Sequence, residues 1–443
     1  MANKLIFNPY RCVNWALDTQ YKVNTHCHTL TNKMLNESWT YDLIEYPTGT
    51  VFYRNGMIQN PDGSYTDTYL EGVYPWEDPE TTSIYDNCPG VLYGSDGLLY
   101  VKDRLEKYKT LGFDAICLAD HGSLDWEDEF GSQVNNPWTR WGFDAVAEGM
   151  LELQGKELSD GPHRVSLFND YVLGIDDIDE DINMVGDNGG IVHIAHPGRY
   201  FGQPGYEDWT KEFYANLFAE HDVLYGLEIV NSDDSYDQDR VLWDKILVQL
   251  MPYHLVVGVG ADDAHSQSAD GRAFIMVLAP ELRTAKIREG MKTGGLYVIH
   301  MPSGNSEASH VPSIIAPTIN SILIDESAGT ITIQANNFTA INWYCGYAND
   351  AGSDVSTLIH SGSVFTYGNA AVIPYIRAEI VGVYGTAYTQ PWGFVDITPA
   401  SMGDAITADV REGKTFSNAI GSGFEGTLVL KKKGSGKFPP IFP

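Results

Sequence analysis

Two imidazoles one residue apart set the chemistry that this chain could do. In Thr25-His26-Cys27-His28 the side chains of His26 and His28 leave the same side of an extended strand, so one ion could take both. Five further strings carry residues of the same kind: Ser95-Asp96-Gly97, Ala119-Asp120-His121-Gly122, Gly155-Lys156-Glu157, Ala195-His196-Pro197-Gly198-Arg199 and Asp262-Asp263-Ala264-His265. Each falls where an apolar run gives way to a loop. Five of the twelve histidines lie in these strings, and His163 and His193 lie close to two of them. Imidazole mixed with carboxylate, without a thiolate-rich set, suits Zn, Mn or Fe. Two such ions close together lower the pKa of a water between them and stabilise both entering and leaving oxygens. The expectation is a metal-dependent hydrolase.

One string alone carries little. An HxH on a strand is often incidental, an Asp-His at a strand end is often a loop hydrogen bond, and Asp262-Asp263 could cap a helix. Six in order, all in the first two-thirds of the chain, make the joint coincidence improbable.

Hydrophobic periodicity indicates the elements that must position them. Short apolar runs at 21–25, 113–118, 150–153, 190–194, 224–230, 255–260 and 273–278 read as strands. The stretch 98–111 puts Leu98, Val101, Leu105, Tyr108 and Leu111 on one helical face, with Lys102, Arg104, Glu106 and Lys107 off it. Residues 209–220 and 236–250 read similarly. Such alternation predicts an α/β fold with mostly parallel strands, and ligand strings at the same strand ends predict a barrel with its chemistry at the C-terminal face. The segment 32–93 breaks the rhythm: it is rich in Tyr and Trp, with Asn55-Gly56 and Asp62-Gly63 as hairpin turns. It reads as an insertion beside the site. Residues 310–398 are β-rich with Gly, Asp and Ser turns, which predicts a small all-β sandwich. The last piece, 399–443, is a short Gly-rich module ending in Lys431-Lys432-Lys433 and a Pro-rich tail.

Bulk properties narrow the partners. The net charge of −31 argues against a partner held mainly by phosphate neutralisation, such as nucleic acid. An anionic substrate must be drawn in locally, by metal ions or a few arginines. The five cysteines, Cys12, Cys27, Cys88, Cys117 and Cys345, form no CxxC pair, and their odd count suits reduced thiols. The N-terminal residues lack an apolar signal segment and no stretch approaches membrane-spanning length, so a soluble, cytoplasmic protein is expected.

The ordered motifs resemble the PHP family (polymerase and histidinol phosphatase) of metal-dependent phosphoesterases, over residues 21 to about 300. The family pattern sets SDG soon after HxHT; here His26-Cys27-His28-Thr29 and Ser95-Asp96-Gly97 are split by the aromatic insertion. The resemblance implies a PHP-type distorted (β/α)7 barrel over 1–305 and two or three divalent ions (Zn, Mn or Fe). It implies that His26 and His28 share one ion with Glu157 and Asp263, and that Glu157 bridges to a second ion held by His163 and His196. A third ion would be bound by Asp96, His121 and His265. Ser166 is the alternative occupant of the His163 slot. His193 is expected to face inward behind the ligands. Glu228, in Gly226-Leu227-Glu228, matches a recurrent family GxE and is expected to line the site on the substrate side.

Arg199 is the expected phosphate grip, because its planar fork suits two oxygens at once; Arg272 is a second choice. The reaction expected is hydrolysis of a phosphomonoester or phosphodiester by a metal-bridging hydroxide, with Glu157, Arg199 and His265 closest to the chemistry and His265 able to protonate the leaving group. The substrate would be a small phosphorylated molecule or a sugar-phosphate polymer.

Two looser resemblances keep alternatives open. Residues 285–298, with Tyr375-Ile376-Arg377-Ala378-Glu379 and Gln390-Pro391-Trp392, resemble PHP relatives grouped with carbamate and amide hydrolases, which carry a β-domain after the barrel. That keeps a carbamate, amide or carboxyl ester possible as substrate. Ala405-Ile406-Thr407-Ala408-Asp409-Val410, Gly413-Lys414-Thr415-Phe416 and Gly426-Thr427-Leu428 are similar to a short repeat of bacteriophage tail and baseplate proteins, with a generic β-hairpin as the plain alternative. A virion-attached enzyme, or a structural or receptor-binding virion protein, would follow. The aromatic insertion is then either a surface for sugar polymers or a subdomain packing its own core.

Overall fold

The computed structural model describes residues 3–28, 101–122, 144–169, 171, 175, 177–265, 269–302, 316–347, 355–368 and 373–396, with short strands inside 44–69 and 415–425. Asp96 lies outside the described residues. So does most of the aromatic insertion, of which four short antiparallel strands between Ile44 and Tyr69 are described. Of the C-terminal module only the antiparallel pair Thr415–Asn418 and Gly421–Glu425 is described.

All seven expected strands form, as Thr19–Cys27, Ala115–Leu118, Leu151–Glu152, Ile191–Ile194, Leu224–Asn231, Val257–Ala261 and Ala273–Ala279. They do not close into a ring of seven parallel strands. A six-stranded sheet runs from Val257–Ala261 through Leu224–Asn231, Ile191–Ile194, Arg164–Leu167 and Gly155–Leu158 to His121–Gly122. The strands Ala273–Ala279, Thr19–Cys27 and Ala115–Leu118 belong to a second, eleven-stranded sheet. The two meet where Cys27 bridges Ala264 and where Ala115–Leu118 runs on towards His121. Val23, Ala115 and Ile275 from one sheet and Val192, Leu227 and Val259 from the other are buried in one apolar core.

The fold is therefore mixed α/β and richer in strands than a (β/α)7 barrel. One cause is local. Arg164–Leu167 pairs antiparallel with Gly155–Leu158 because the short 159–163 connection permits only a hairpin, whereas a parallel crossover needs a dozen or more residues.

The helices follow their sequence signals. Asp177 caps Ile178–Asp187 by accepting the Glu180 N–H at 3.1 Å, and Thr210 caps Lys211–Glu220 by accepting that of Phe213 at 3.2 Å. Helix Val101–Thr110 buries Leu105 and Tyr108 as its periodicity predicts, but also Arg104, which the periodicity put outside. The Arg104 guanidinium pairs with Asp270 and donates to the Ala264 carbonyl at 3.2 Å, so a charge sits at an inward position because its partners are built there.

The β-module is joined to the rest by strand pairing. Leu296–His300 pairs with Thr386–Thr389, and the N-terminal strand Asn3–Phe7 pairs with Trp392–Asp396. A division at residues 305–310 thus cuts one continuous sheet. A three-stranded sheet (Thr318–Asp325, Thr330–Asn336, Val364–Thr366) supplies the second layer, its Ile319, Ile331 and Ile333 packing with Trp343 and Trp392. Gln390 adds a clamp: its amide donates to the Gly258 carbonyl and accepts the Gly258 N–H, both at 2.8 Å. The cysteines at 12, 27 and 117 are free thiols. No helix among the described residues is long and apolar enough to cross a membrane.

Candidate metal centre

The five ligand strings among the described residues converge at one point between the two sheets. His26 and His28 leave the end of Thr19–Cys27 on one side, as the pleat requires, with their Nε2 atoms 3.1 Å apart. Glu157, from Gly155–Leu158, sits beneath them. Its Oε2 lies 2.7 Å from His121 Nδ1, 3.3 Å from His26 Nε2 and 3.4 Å from His28 Nε2. Its Oε1 lies 2.8 Å from His163 Nδ1 and 3.0 Å from His196 Nε2. Asp263 closes the other side, with Oδ1 at 2.9 Å from His28 Nε2, 3.4 Å from His26 Nε2 and 3.4 Å from His265 Nδ1. His28, His121 and His265 form one close triplet, His26, His28 and Glu157 a second, and His121, Glu157 and His163 a third, each with its donor atoms within 4.8 Å of one another.

Two of these residues stand on unusual backbone. His196 has φ +28° and Asp263 φ +43°, left-handed values that branched or bulky side chains rarely adopt. The surroundings hold them there. The Asp263 N–H donates to the His26 carbonyl at 2.9 Å and the His28 N–H to the Ala264 carbonyl at 3.2 Å. The His196 turn continues through Gly198, where a Cβ would lie 2.6 Å from the Asp239 nitrogen. Only glycine lets the turn approach that closely, and the buried Asp239 accepts the Gly198 N–H.

The electrostatics suit a cation. Burial pushes the Glu157 carboxyl up, but the imidazoles of His121, His26 and His163 outweigh it and hold Glu157 well below the usual range. Asp263 is likewise held well below, burial being overcome by His26, His28 and His196. Burial lowers His163 to about 4, and burial with the neighbouring His265 lowers His28 to about 3. Those two rings therefore offer lone pairs at neutral pH. For His26, burial acts downward, yet Glu157, Asp263 and Glu228 raise it well above 6.5. Glu157 Oε2 is buried with imidazole nitrogens around it and hydrogen-bond geometry to none. A nitrogen and oxygen donor set of this kind, with two ionised carboxylates at its centre, fits divalent Zn, Mn or Fe.

Eight of the nine residues expected to ligate come together here: His26, His28, His121, Glu157, His163, His196, Asp263 and His265. Ser166 does not, since its hydroxyl faces the carbonyls of Lys156 and Tyr171. His193 lies behind the cluster, 3.3 Å from Glu228 and 3.3 Å from the Tyr225 hydroxyl. Glu228 is placed differently from its expected substrate-facing position: it is fully buried, with His26 Nδ1 at 2.8 Å. Arg199 is exposed, its guanidinium 5.5 Å from the Tyr200 ring centre. Tyr200 in turn packs against His163 and His196, which sets Arg199 on their side of the mouth. Arg272 is buried away from it, beside His300.

Three neighbours escaped the sequence reading. Ser159 lies 2.6 Å from His121 Nδ1, Asn231 donates to Asp263 Oδ2 at 3.2 Å, and Asp239 props the His196 turn. Their signal is spatial, since each meets a ligand only once the strands are assembled.

No family model and no curated protein matches the chain. Among solved structures it is similar to a two-domain protein containing a predicted PHP-like metal-dependent phosphoesterase from Bacteroides vulgatus, at 13% identity and TM-score 0.37, over 88% of this chain and 99% of that one. It is also similar to PsfC from Pseudomonas syringae, at 13% identity and TM-score 0.33, over 47% of this chain and 84% of that one. A third is the lesion-specific endonuclease PfuEndoQ from Pyrococcus furiosus, at 14% identity and TM-score 0.33, over 63% of this chain and 57% of that one.

Proposed function

We propose that this chain is a metal-dependent hydrolase of phosphate esters. The observation that carries the reading is the packing of six imidazoles around two carboxylates, Glu157 and Asp263, at separations of 2.7 to 3.4 Å. Buried charges persist only where they are paired or coordinate a metal, and two carboxylates amid six imidazoles supply the donor set for the second case. His26, His28, Glu157 and Asp263 would hold one ion; Glu157, His163 and His196 a second; and His121 and His265, with Asp96, a third. Bound divalent ions supply Lewis acidity and a nucleophile competent at neutral pH.

The chain's own residues do the rest. Arg199, exposed beside the mouth, would grip the phosphoryl oxygens through its two-pronged fork, which favours a phosphate over an uncharged ester. His265, with a side chain 48% exposed, is the most open imidazole of the cluster, so where it does not ligate the third ion it would be the group placed to pass a proton to a departing alkoxide. The interior position of His26 and Glu157 keeps bulk water from the inner face of the site.

Small phosphomonoesters and phosphodiesters are the substrate class in view. A net charge of −31 disfavours long-range attraction of nucleic acid, but it does not govern a contact made at a metal centre. A DNA oligonucleotide therefore belongs among the diesters to be assayed. The test is elemental analysis of the purified chain, followed by turnover of nitrophenyl phosphate mono- and diesters, a nitrophenyl carboxyl ester and the oligonucleotide with Zn or Mn. Turnover of the carboxyl ester alone would move the reading to a carbamate or carboxyl ester hydrolase. Metal-free protein with no turnover of any would end both, leaving a non-enzymatic role such as a virion component.

A further inference from the structure

Glu228 is a buried carboxylate that none of the proposed ions needs, yet it contacts two of the proposed ligands, His26 and His196, directly. It is fully buried at the middle of strand Leu224–Asn231. Its Oε1 meets His26 Nδ1 at 2.8 Å and His193 Nε2 at 3.3 Å. Its Oε2 accepts the His196 backbone N–H at 2.8 Å and the Asn231 side-chain amide at 2.8 Å. That same Asn231 nitrogen reaches Asp263 Oδ2 at 3.2 Å. One side chain thus contacts three proposed ligands by three routes: the ring of His26, the main chain of His196, and Asp263 through Asn231.

We propose that Glu228 is a positioning residue that fixes the tautomer of His26 and the backbone of His196, so that both present Nε2 to the ions; this rests on the metallohydrolase reading above. An ionised carboxylate only accepts, so a His26 that binds an ion must keep its remaining proton on Nδ1 and turn the lone pair of Nε2 towards His28, Glu157 and Asp263. The His196 N–H bond to Oε2 anchors a residue at φ +28°, a conformation that persists only where its surroundings impose it. His193 completes the arrangement from behind: the Tyr225 hydroxyl faces its Nδ1, leaving Nε2–H to point at Oε1.

The geometry demands a charge and not merely a shape. Donors face both oxygens, His26 and His193 on Oε1, His196 and Asn231 on Oε2. A glutamine in this place either sets its NH2 against the His196 and Asn231 donors or, turned the other way, faces His26 and His193 and is relieved only if His26 gives up its Nδ1 proton and with it the tautomer that ligates through Nε2. An isosteric replacement should therefore be damaging here, where on a solvent-exposed carboxylate it would be mild.

The experiment uses the full-length chain and zinc. Zinc binding is measured against a competing chelator for wild type and Glu228→Gln, alongside thermal unfolding of each without metal. A two-bond 1H–15N correlation spectrum of zinc-loaded, 15N-histidine-labelled wild type then reads the tautomers, with His26 assigned by its loss in His26→Asn. The expected results are zinc binding weakened about 10- to 100-fold in Glu228→Gln, and a wild-type His26 that is protonated at Nδ1 and ligated through Nε2. Unchanged zinc affinity in a folded Glu228→Gln variant, or His26 ligated through Nδ1, overturns the proposal and leaves the hydrolase reading standing. Should the variant fail to fold, the wild-type spectrum decides alone. A wild type that takes up no zinc, manganese or iron brings down the hydrolase reading, and the positioning role with it.

Discussion

Arg377 grips Asp244 through two parallel bonds, Nε to Oδ1 and Nη2 to Oδ2, each 2.8 Å long. The Tyr375 hydroxyl adds a third to Oδ1 at 2.7 Å. This fork joins strand Tyr375–Val381 of the β-module to helix Gln238–Leu250, whose first turn carries the Asp239 that props the His196 loop. The module is thereby coupled to the site by a rigid helix as well as by the shared sheet.

Both charges are buried, so the pair mainly offsets its own desolvation. Removing one member is then worse than removing both. Arg377→Met, which strands Asp244 without its counter-ion, should lower stability by about 3–5 kcal/mol. The double change with Asp244→Leu should recover most of that loss. Urea unfolding of wild type and the two variants checks this, and a double variant no better than the single one would assign the loss to packing.

Glu157 faces two sets of imidazoles with its two oxygens, His121, His26 and His28 on one side and His163 and His196 on the other, all within 3.4 Å. Glu157→Gln keeps the shape and removes the charge. Bound metal and activity should fall together, activity by more than the roughly 100-fold that loss of an outer partner produces. Elemental analysis beside a phosphatase assay reads both. Full metal content in this variant would mean that the bridging position has been assigned to the wrong residue.

Arg199 stands in the open next to Tyr200, so its replacement should leave the fold intact. Arg199→Ala should reduce kcat/KM for a nitrophenyl phosphate by about 10- to 100-fold, the loss of charge-assisted bonds worth roughly 1.5–3 kcal/mol. Arg199→Lys should recover only part, since a point charge lacks the fork. Any activity on a neutral carboxyl ester should hardly change. Equal losses on both substrates would make Arg199 a structural residue.

The residues that gather at the candidate centre were legible in the sequence because most are tied to a local rule. A pleated strand puts His26 and His28 on one side whatever the rest of the fold does, and the apolar runs before His121, Glu157, His196 and Asp263 mark where strands end. Glu228 shows where such rules stop. Every residue of its strand Leu224–Asn231 is buried, so alternation could not separate the face towards substrate from the face towards His26. Asn231 and Asp239 acquire meaning only through partners from other strands and loops. Arg104 misled the helical pattern because Asp270, its counter-charge, is far away in sequence. The antiparallel return at 155–167 and the continuity of the sheet into the β-module depend on pairing, which periodicity does not encode.

Lys22 makes a last case, in which a buried charge should be read out by pH. It lies four residues before His26 on the same strand, with its Nζ 4.1 and 4.3 Å from the ring centres of Phe113 and Phe274 and a bond of 2.9 Å to the Leu111 carbonyl. Burial lowers it to about 8, although Asp262 and Asp114 act in the opposite sense. A folded-state pKa below that of the unfolded chain means that the unfolded chain holds more protons between about pH 8 and 10.5, so stability gains with rising pH in that window. Below about pH 8 the cost of the buried ammonium is constant and complete. Lys22→Met removes the titration while filling the space between the rings. The stability of the variant relative to wild type should therefore be greatest near pH 7 and shrink by up to about 3 kcal/mol on going to pH 10.5. Comparing the two proteins cancels the other groups that titrate in alkali. A difference that stays flat across this range would show that the ammonium is not desolvated at this position, and that the aromatic pair holds it at no cost to the fold.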